Sequence, residues 1–322
     1  MFAESFVTLG ALLALQAPLA KDVPSAIASI DALPVARYVA PTVPVPRKTD
    51  VERLGIDVSA QSACVIDVAT GRVLFEKDSD KPHPIASLTK LMTAMTLLDE
   101  HPDMKEMVTI EPEDDPKEGK TVLPIGGKFT RQELFRALLI GSVNIAGKTL
   151  ARTSEGGTQA FIERMNQKAH DLHLLQGTFA DPTGLDPSNQ ASAHDVAIIL
   201  RTALSYPEIR ETTEQSELTL PNRLTNKSLQ ISSTNLLLGS FLNKDPYRIV
   251  AAKTGSLPEA GYCLAQATRK EGSGEVISVV LGSENHFARF QDAKALTYWA
   301  FDAFHWPPAA TAALNMPVSE ER

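Results

Sequence analysis

Three short stretches of this 322-residue sequence hold residue types able to carry out acyl transfer. The first is Ser87-Leu88-Thr89-Lys90. A serine hydroxyl is a weak nucleophile until a neighbouring base takes its proton. On a helix, positions i and i+3 share a face, so the Lys90 amine can reach the Ser87 oxygen. Pro84, just upstream, sets Ser87 in a first helical turn, where free backbone N–H groups can stabilise an oxyanion. The tetrapeptide alone is close to a chance match, because Ser is a common N-cap and Lys is common on solvated helix faces.

The second stretch is Lys253-Thr254-Gly255, at the end of the strand-like run RIVAAKTG. A cationic head beside a hydroxyl on a strand edge can hold a substrate carboxylate. Gly255 lets another backbone come close. The third is a Ser-x-Asn, of which the chain has three. Ser142-Val143-Asn144 follows an apolar helical run midway between the other two motifs. Ser233-Thr234-Asn235 and Ser283-Glu284-Asn285 read as turn and cap residues.

S-x-x-K, S-x-N and K-T-G in this order specify more than any one of them. With them the chain resembles the low-molecular-weight penicillin-binding proteins, the serine D-alanyl-D-alanine peptidases. The resemblance runs through DVATGRVLFEKDSD, PIASLTKLMTAM, MNQKAHDLHL, TFADPTGLDPSNQASAHDVA and KTGSLPEAGYCLA, about residues 60 to 300. It implies a β-lactamase/transpeptidase-like fold and an acyl-enzyme on Ser87, with Lys90 as general base. Its pKa must then be lowered, a task suited to a nearby Lys253 cation. By the same resemblance Ser142 relays a proton to the leaving amine and Asn144 orients the peptide and Lys90. Lys253, Thr254, Gly255 and Ser256 belong to substrate binding, with the N–H groups of Ser87 and Ser256 as oxyanion hole. Peptidoglycan stem peptides are the implied substrates and β-lactams the implied covalent inhibitors. The departure is Ile145, where the family usually has a polar residue, and it raises a question about polarity in the cleft.

The elements that must position these residues follow from periodicity. SACVIDV and RVLFEK flank Ala69-Thr70-Gly71 as a hairpin. PIASLTKLMTAMTLLDE carries apolar residues at helical spacing, as do RQELFRALLIG, TQAFIERMNQKAHDLHLL and SAHDVAIILRTALS. Ser192 and Asp195 form a capping-box signature. RIVAAKTG, GYCLAQATRK and EVISVVLGS return to strands, and a last amphipathic helix runs over about 287–304. Strands at both ends with a helical middle predict an α+β fold: an antiparallel sheet of N-terminal hairpin plus C-terminal strands, flanked by helices. Its site belongs in the cleft between layers.

Composition narrows the function classes. A net charge of -8 and 6% aromatic residues exclude a basic or base-stacking surface, so no nucleic acid is expected. Cys64 and Cys263 sit singly in apolar runs and read as buried strand residues. No Cys/His set at zinc spacing occurs, and His170 and His173 lack a third partner, so neither metal nor cofactor is implied. The acidic run Glu111 to Glu118 reads as a solvated loop. Gly141 to Thr149 is one residue too long for a phosphate-binding loop, and no G-x-S-x-G is present.

Residues 1–20 read as a signal peptide ending at Ala20 or Ala28, although Glu4 occupies the usually basic region and no Lys or Arg precedes Lys21. Residues 21–58 read as a Pro-rich linker, 59–306 as the serine D,D-peptidase domain and 307–322 as a tail. The protein is therefore expected to be exported, periplasmic or in the cell envelope, without a stable transmembrane anchor after processing. The short C-terminal remainder and the wording around Pro84 to Met95 resemble the single-domain D-alanyl-D-alanine endopeptidases more than the carboxypeptidases. Glu217-Leu218-Thr219-Leu220-Pro221 is the nearest look-alike of a β-lactamase deacylation carboxylate, with Pro221 where Asn is expected. A non-catalytic binding module of the same fold is the remaining alternative.

Overall fold

The computed structural model describes residues 43, 45–50, 52, 54–117 and 122–307. The stretch read as a signal peptide and most of the 307–322 tail lie outside them. In chain order, β1 (Arg47–Lys48) is followed by the hairpin β2 (Ser62–Asp67) and β3 (Val73–Lys77), then β4 (His83–Pro84). One 3-10 turn, Ala86–Leu88, leads into α1 (Thr89–Asp99). The middle holds β5 (Met107–Thr109), β6 (Lys128–Thr130), α2 (Arg131–Ile140), α3 (Asn144–Arg152) and α4 (Gly157–Asp171). Then come β7 (Gln190–Ala191), α5 (Ala193–Ala203), α6 (Pro207–Thr213) and the hairpin β8 (Glu217–Asn222) and β9 (Lys227–Ser232). The C-terminal part supplies β10 (Tyr247–Leu257), β11 (Gly261–Lys270), β12 (Glu275–Ser283), α7 (Ala288–Ala303) and β13 (Phe304–His305).

The central sheet has the order β10-β11-β12-β2-β3, antiparallel throughout. The N-terminal hairpin thus joins the C-terminal strands through β12 and β2, with Val65 opposite Ser278. Every residue of β2 is buried because both faces are covered. On one face Cys64 and Ile66 join a core with Leu91, Met95, Leu138, Ile199 and Leu200 of the helical side. On the other, Ala63 and Val65 pack with Leu296, Ala300 and Phe301 of α7. Burying each Leu or Met side chain contributes about 1.5–3 kcal/mol, so the two clusters fix α1 and α7 against opposite faces. β10 is left as an edge strand, with the turn at Ala86–Leu88 close against Gly255.

Several expectations hold: the α+β sheet, the Ser192/Asp195 capping box, and Cys64 and Cys263 as buried free thiols on strands. Others need correction. The stretch read as linker already takes part in the fold before residue 59. Arg47 and Lys48 pair with Phe304 and His305, the Thr49 N–H donates to the Ala303 carbonyl (2.8 Å), and Val58 is buried. Its prolines suppress a periodic signal without preventing strand pairing. The acidic run is not wholly solvated, because Asp114 is 2% exposed and accepts from Arg152 Nε (2.8 Å) and Thr149 Oγ1 (3.0 Å). A charge run hides the one member whose partners lie on a distant helix. The helix expected from Pro84 begins instead at Thr89, and the turn before it proves decisive for the site.

Candidate active site

Ser87 sits in the middle of the 3-10 turn, directly after Ala86, whose φ is +47°. That left-handed conformation costs a non-glycine residue of order 1–3 kcal/mol and persists only where surroundings enforce it. They do so from two sides. A Cβ added to Gly255 would lie 2.9 Å from the Ile85 carbonyl oxygen and 3.1 Å from the Ser87 nitrogen. A Cβ on Gly184, itself at φ +79°, would lie 1.9 Å from the Ala86 carbonyl oxygen. Two glycines therefore let β10 and the loop before β7 close on the turn. The tight turn and first turn of α1 bring Lys90 back towards Ser87.

Lys90 is fully buried. Its Nζ donates to Ser87 Oγ (2.7 Å), Asn144 Oδ1 (2.7 Å) and the Thr183 carbonyl (2.6 Å). Burial lowers its pKa from the usual lysine range to about 7, against an opposing pull from Asp181. The expected cause, a Lys253 cation, is not what acts on it; desolvation dominates. The like-charge effect appears on Lys253 instead. That group is 1% exposed and held well below the usual lysine range, first by burial and then by Lys90 and Arg289. Lys253 Nζ donates to Ser142 Oγ (2.8 Å) and to the Thr254 carbonyl (2.8 Å).

Ser142 lies between α2 and α3 at φ +56°, a second enforced left-handed residue. Gly141 beside it lets β9 pack closely here, since a Cβ there would meet Ile231 at 2.2 Å. Asn144 opens α3, and Ile145 turns away from it into the helical core at 1% exposure. The concern about polarity next to Asn144 is thereby answered: the apolar side chain does not line the cleft.

Ser87, Ser142, Thr254, Gly255 and Ser256 share one cavity of about 290 Å³ with Thr234, Leu236, His286 and Arg289. Ser142 and Asn144 also border a neighbouring cavity of about 440 Å³ beside β9. Lys90 and Lys253 approach from beneath, bound to Ser87 and Ser142. All eight sequence-derived residues thus come together. Among the described residues no carboxylate lines either cavity, and Glu217 is exposed on β8. The other two Ser-x-Asn triplets do act in turns and caps, with Asn235 capping the 3-10 turn at Leu236 and Asn285 accepting from Phe287 and Ala288.

Four contributors escape a reading by motif. Thr234 accepts from Thr254 Oγ1 (2.7 Å), fixing that hydroxyl. Arg289 donates to the Gly255 carbonyl (2.9 Å) and to His286 Nδ1 (3.0 Å), while its buried Nε has no partner among the described residues. Thr183 acts through a carbonyl, which no residue type advertises. Asp181 acts on Thr183, and it lies within the segment TFADPTGLDPSNQASAHDVA that carries the family resemblance without marking any one residue of it. Chemically, the arrangement offers an amine near neutrality bonded to a hydroxyl, and a second hydroxyl bonded to a second amine. The wall of cationic and hydroxyl groups beside them suits an anionic substrate terminus.

Residues 47–285 match the family described as D-alanyl-D-alanine carboxypeptidase. The D-alanyl-D-alanine endopeptidases of Pseudomonas aeruginosa and Escherichia coli are 33% and 32% identical to it, each over 76% of this chain and 77% of their own length. The carboxypeptidase DacF of Bacillus subtilis is 30% identical over 77% of the chain and 64% of its own. The Streptomyces K15 DD-transpeptidase matches with TM-score 0.72 at 26% identity, over 78% of this chain and all of that one. Penicillin-binding protein D2 of Listeria monocytogenes, in its cefotaxime-bound form, gives 0.67 at 30%, over 77% of this chain and all of its own.

Proposed function

The chain belongs to the D-alanyl-D-alanine carboxypeptidase family of serine peptidases, and from that premise we propose that it hydrolyses D-alanyl bonds in peptidoglycan stem peptides through a Ser87 acyl-enzyme. Neutral Lys90 takes the Ser87 proton as the oxygen attacks the carbonyl carbon between two D-residues. The oxyanion forms between the Ser87 and Ser256 N–H groups. Ser142, supplied by Lys253, passes a proton to the departing amine, and Asn144 holds the donor peptide. Thr254 and Ser256, backed by Lys253 and Arg289, bind the carboxylate of the leaving side. Water then attacks the ester, passing a proton through Ser142 back to the Lys253 amine, while Lys90 returns its proton to the Ser87 oxygen as that oxygen leaves. A β-lactam carries the same carboxylate and reactive carbonyl but leaves no separable amine, so it stays on the enzyme.

The observation that carries this reading is the 2.7 Å contact between Ser87 and a buried Lys90 whose pKa falls to about 7. A lysine so placed is substantially neutral at neutral pH, where a surface lysine is not. Labelling with a fluorescent penicillin tests it: wild type is expected to label and Ser87→Ala to lose the label. Persistent labelling of Ser87→Ala removes Ser87 from the role, and an unlabelled wild type favours a binding module.

Cross-links are the preferred substrate in this proposal. The relatives named endopeptidases match at 33% and 32%, against 30% for the carboxypeptidase DacF. Digests of purified muropeptide dimers and of monomeric pentapeptide separate the two. Cleavage of dimers is expected; loss of terminal D-alanine from pentapeptide alone reverses the preference. Export to the periplasm or cell envelope completes the proposal, supported by the cell-wall substrates named for the family. Among the described residues no helix is long and apolar enough to cross a membrane.

A further inference from the structure

The loop at residues 181–189, which carries no side chain that lines the cleft, touches Lys90 and the two residues just before Ser87. At one end the Thr183 carbonyl accepts from Lys90 Nζ (2.6 Å). Further along, the Asn189 carbonyl accepts from the Ile85 N–H (3.0 Å), and Gly184 presses on the Ala86 carbonyl. The loop therefore braces the strained turn that carries the nucleophile and holds the amine that serves it.

One side chain organises this loop. The Asp181 carboxylate accepts from the N–H groups of Thr183 (2.6 Å), Gly184 (3.0 Å) and Asp186 (2.7 Å), from Thr183 Oγ1 and from Asn189 Nδ2 (2.6 Å). From the other side Thr93 Oγ1 of α1 donates to the Pro182 carbonyl (2.7 Å). With both flanks tied, the Thr183 carbonyl has a fixed direction.

We propose that Asp181 is a positioning residue which, through the Thr183 carbonyl, aims the lone pair of Lys90 at Ser87. A neutral amine has two N–H bonds and one lone pair. Asn144 Oδ1 and the Thr183 carbonyl can only accept, so they take both N–H bonds. The lone pair is left for the Ser87 hydroxyl, whose proton it receives. If the carbonyl swings away, an N–H can turn towards Ser87 and the base presents the wrong side. Acceptors of fixed direction do for an amine what a carboxylate does for the tautomer of a catalytic histidine.

The charge environment of Lys90 gives the experiment its sign. Asp181 faces it from the loop and Lys253 from β10; α3 presents neutral Asn144 and Ser142 precedes it, while Arg289 of α7 acts on Lys253. Of these, Asp181 is the group that favours the ammonium form of Lys90. Removing its charge while keeping its shape must therefore lower the pH at which Lys90 becomes neutral.

This inference rests on Lys90 being the base, and the test separates the two. The rate of acylation by a chromogenic cephalosporin is measured against pH for wild type, Asp181→Asn and Thr93→Val, with thermal unfolding alongside. Wild type is expected to show an acid limb near pH 7; its absence defeats Lys90 as base and leaves the loop aside. Asp181→Asn is expected to acylate about tenfold more slowly at its plateau, with the limb moved to lower pH. Thr93→Val keeps volume and charge, and is expected to slow acylation with the limb unmoved. A limb that stays in place in Asp181→Asn, or a full plateau rate in Thr93→Val, makes the loop a merely structural element and overturns the proposal. Should Asp181→Asn not fold, the plateau rate of Thr93→Val decides alone.

Discussion

The two walls of the cleft each bury a lysine, yet they treat it differently. On the helical side Lys90 has three oxygen acceptors, two of them held rigidly, and a carboxylate one residue beyond its contact shell. On the strand side Lys253 has Ser142 and its own neighbour's carbonyl, and the charges that act on it are Lys90 and Arg289. The first environment balances burial against a nearby negative charge and leaves the amine near pH 7. The second adds like charge to burial and pushes further in the same direction. Burial alone thus does not make a base. A base needs a pKa near the working pH and a lone pair of fixed direction, and the helical side supplies both.

Replacing Lys90 is the hardest test of that contrast. Lys90→Met removes the proton acceptor and leaves the Thr183 carbonyl unpaired, so acylation by penicillin should fall about 10²–10⁴-fold in stopped-flow or gel-based rates. A loss under tenfold places the base elsewhere. Lys253→Met should cost less, roughly 10–100-fold in D,D-peptide hydrolysis. Its acid limb should stay near pH 7, because desolvation, not Lys253, sets the Lys90 value. A limb that moves upward in Lys253→Met would falsify this division of labour.

Stability should carry the same signature. Both folded-state lysine pKa values lie below the unfolded value, so between about pH 7 and 10.5 the unfolded chain binds more protons. Stability therefore rises with pH across that window, by up to about 1.4 kcal/mol per pH unit for each lysine, and flattens below it for Lys90. Urea midpoints measured from pH 6.5 to 9.5 should climb in wild type and climb less in Lys90→Met. Equal slopes would mean that Lys90 is not the buried titrating group. The smallest effect belongs to Glu217→Gln: it is exposed on β8, so hydrolysis of a bound β-lactam should change less than about twofold.

Much of this was legible in the sequence, for identifiable reasons. Hydrophobic periodicity marks β2, β11, β12 and α5 because their side chains face packed layers and nothing overrides the pattern. Ser87, Lys90, Ser142 and Lys253 are legible because their chemistry resides in side chains at fixed spacing. Ser87's turn is not, since Ala86 is driven to positive φ by Gly184 and Gly255, which come from distant segments. Thr183 is silent because it contributes a backbone carbonyl. Asp114 and Arg289 are silent because a buried charge looks like a solvated one until its partners are known. The cause of the Lys90 shift is hidden from the sequence for a related reason: charge can be counted in a sequence, whereas burial cannot.

The pairing of Val65 with Ser278 has a consequence in time as well as in space. The hairpin β2–β3 is made early in synthesis, and its sheet neighbour among the described residues, β12, is among the last segments to appear. Until then one hydrogen-bonding edge of β2 stands open, and the apolar faces of the hairpin have no α7 to cover them. A chain of this topology is committed to slow, late closure. If it crosses a membrane N-terminus first, it arrives with an adhesive edge that invites pairing with other chains. Growth temperature and the supply of holding chaperones should therefore govern the yield of folded protein more strongly than its final stability does.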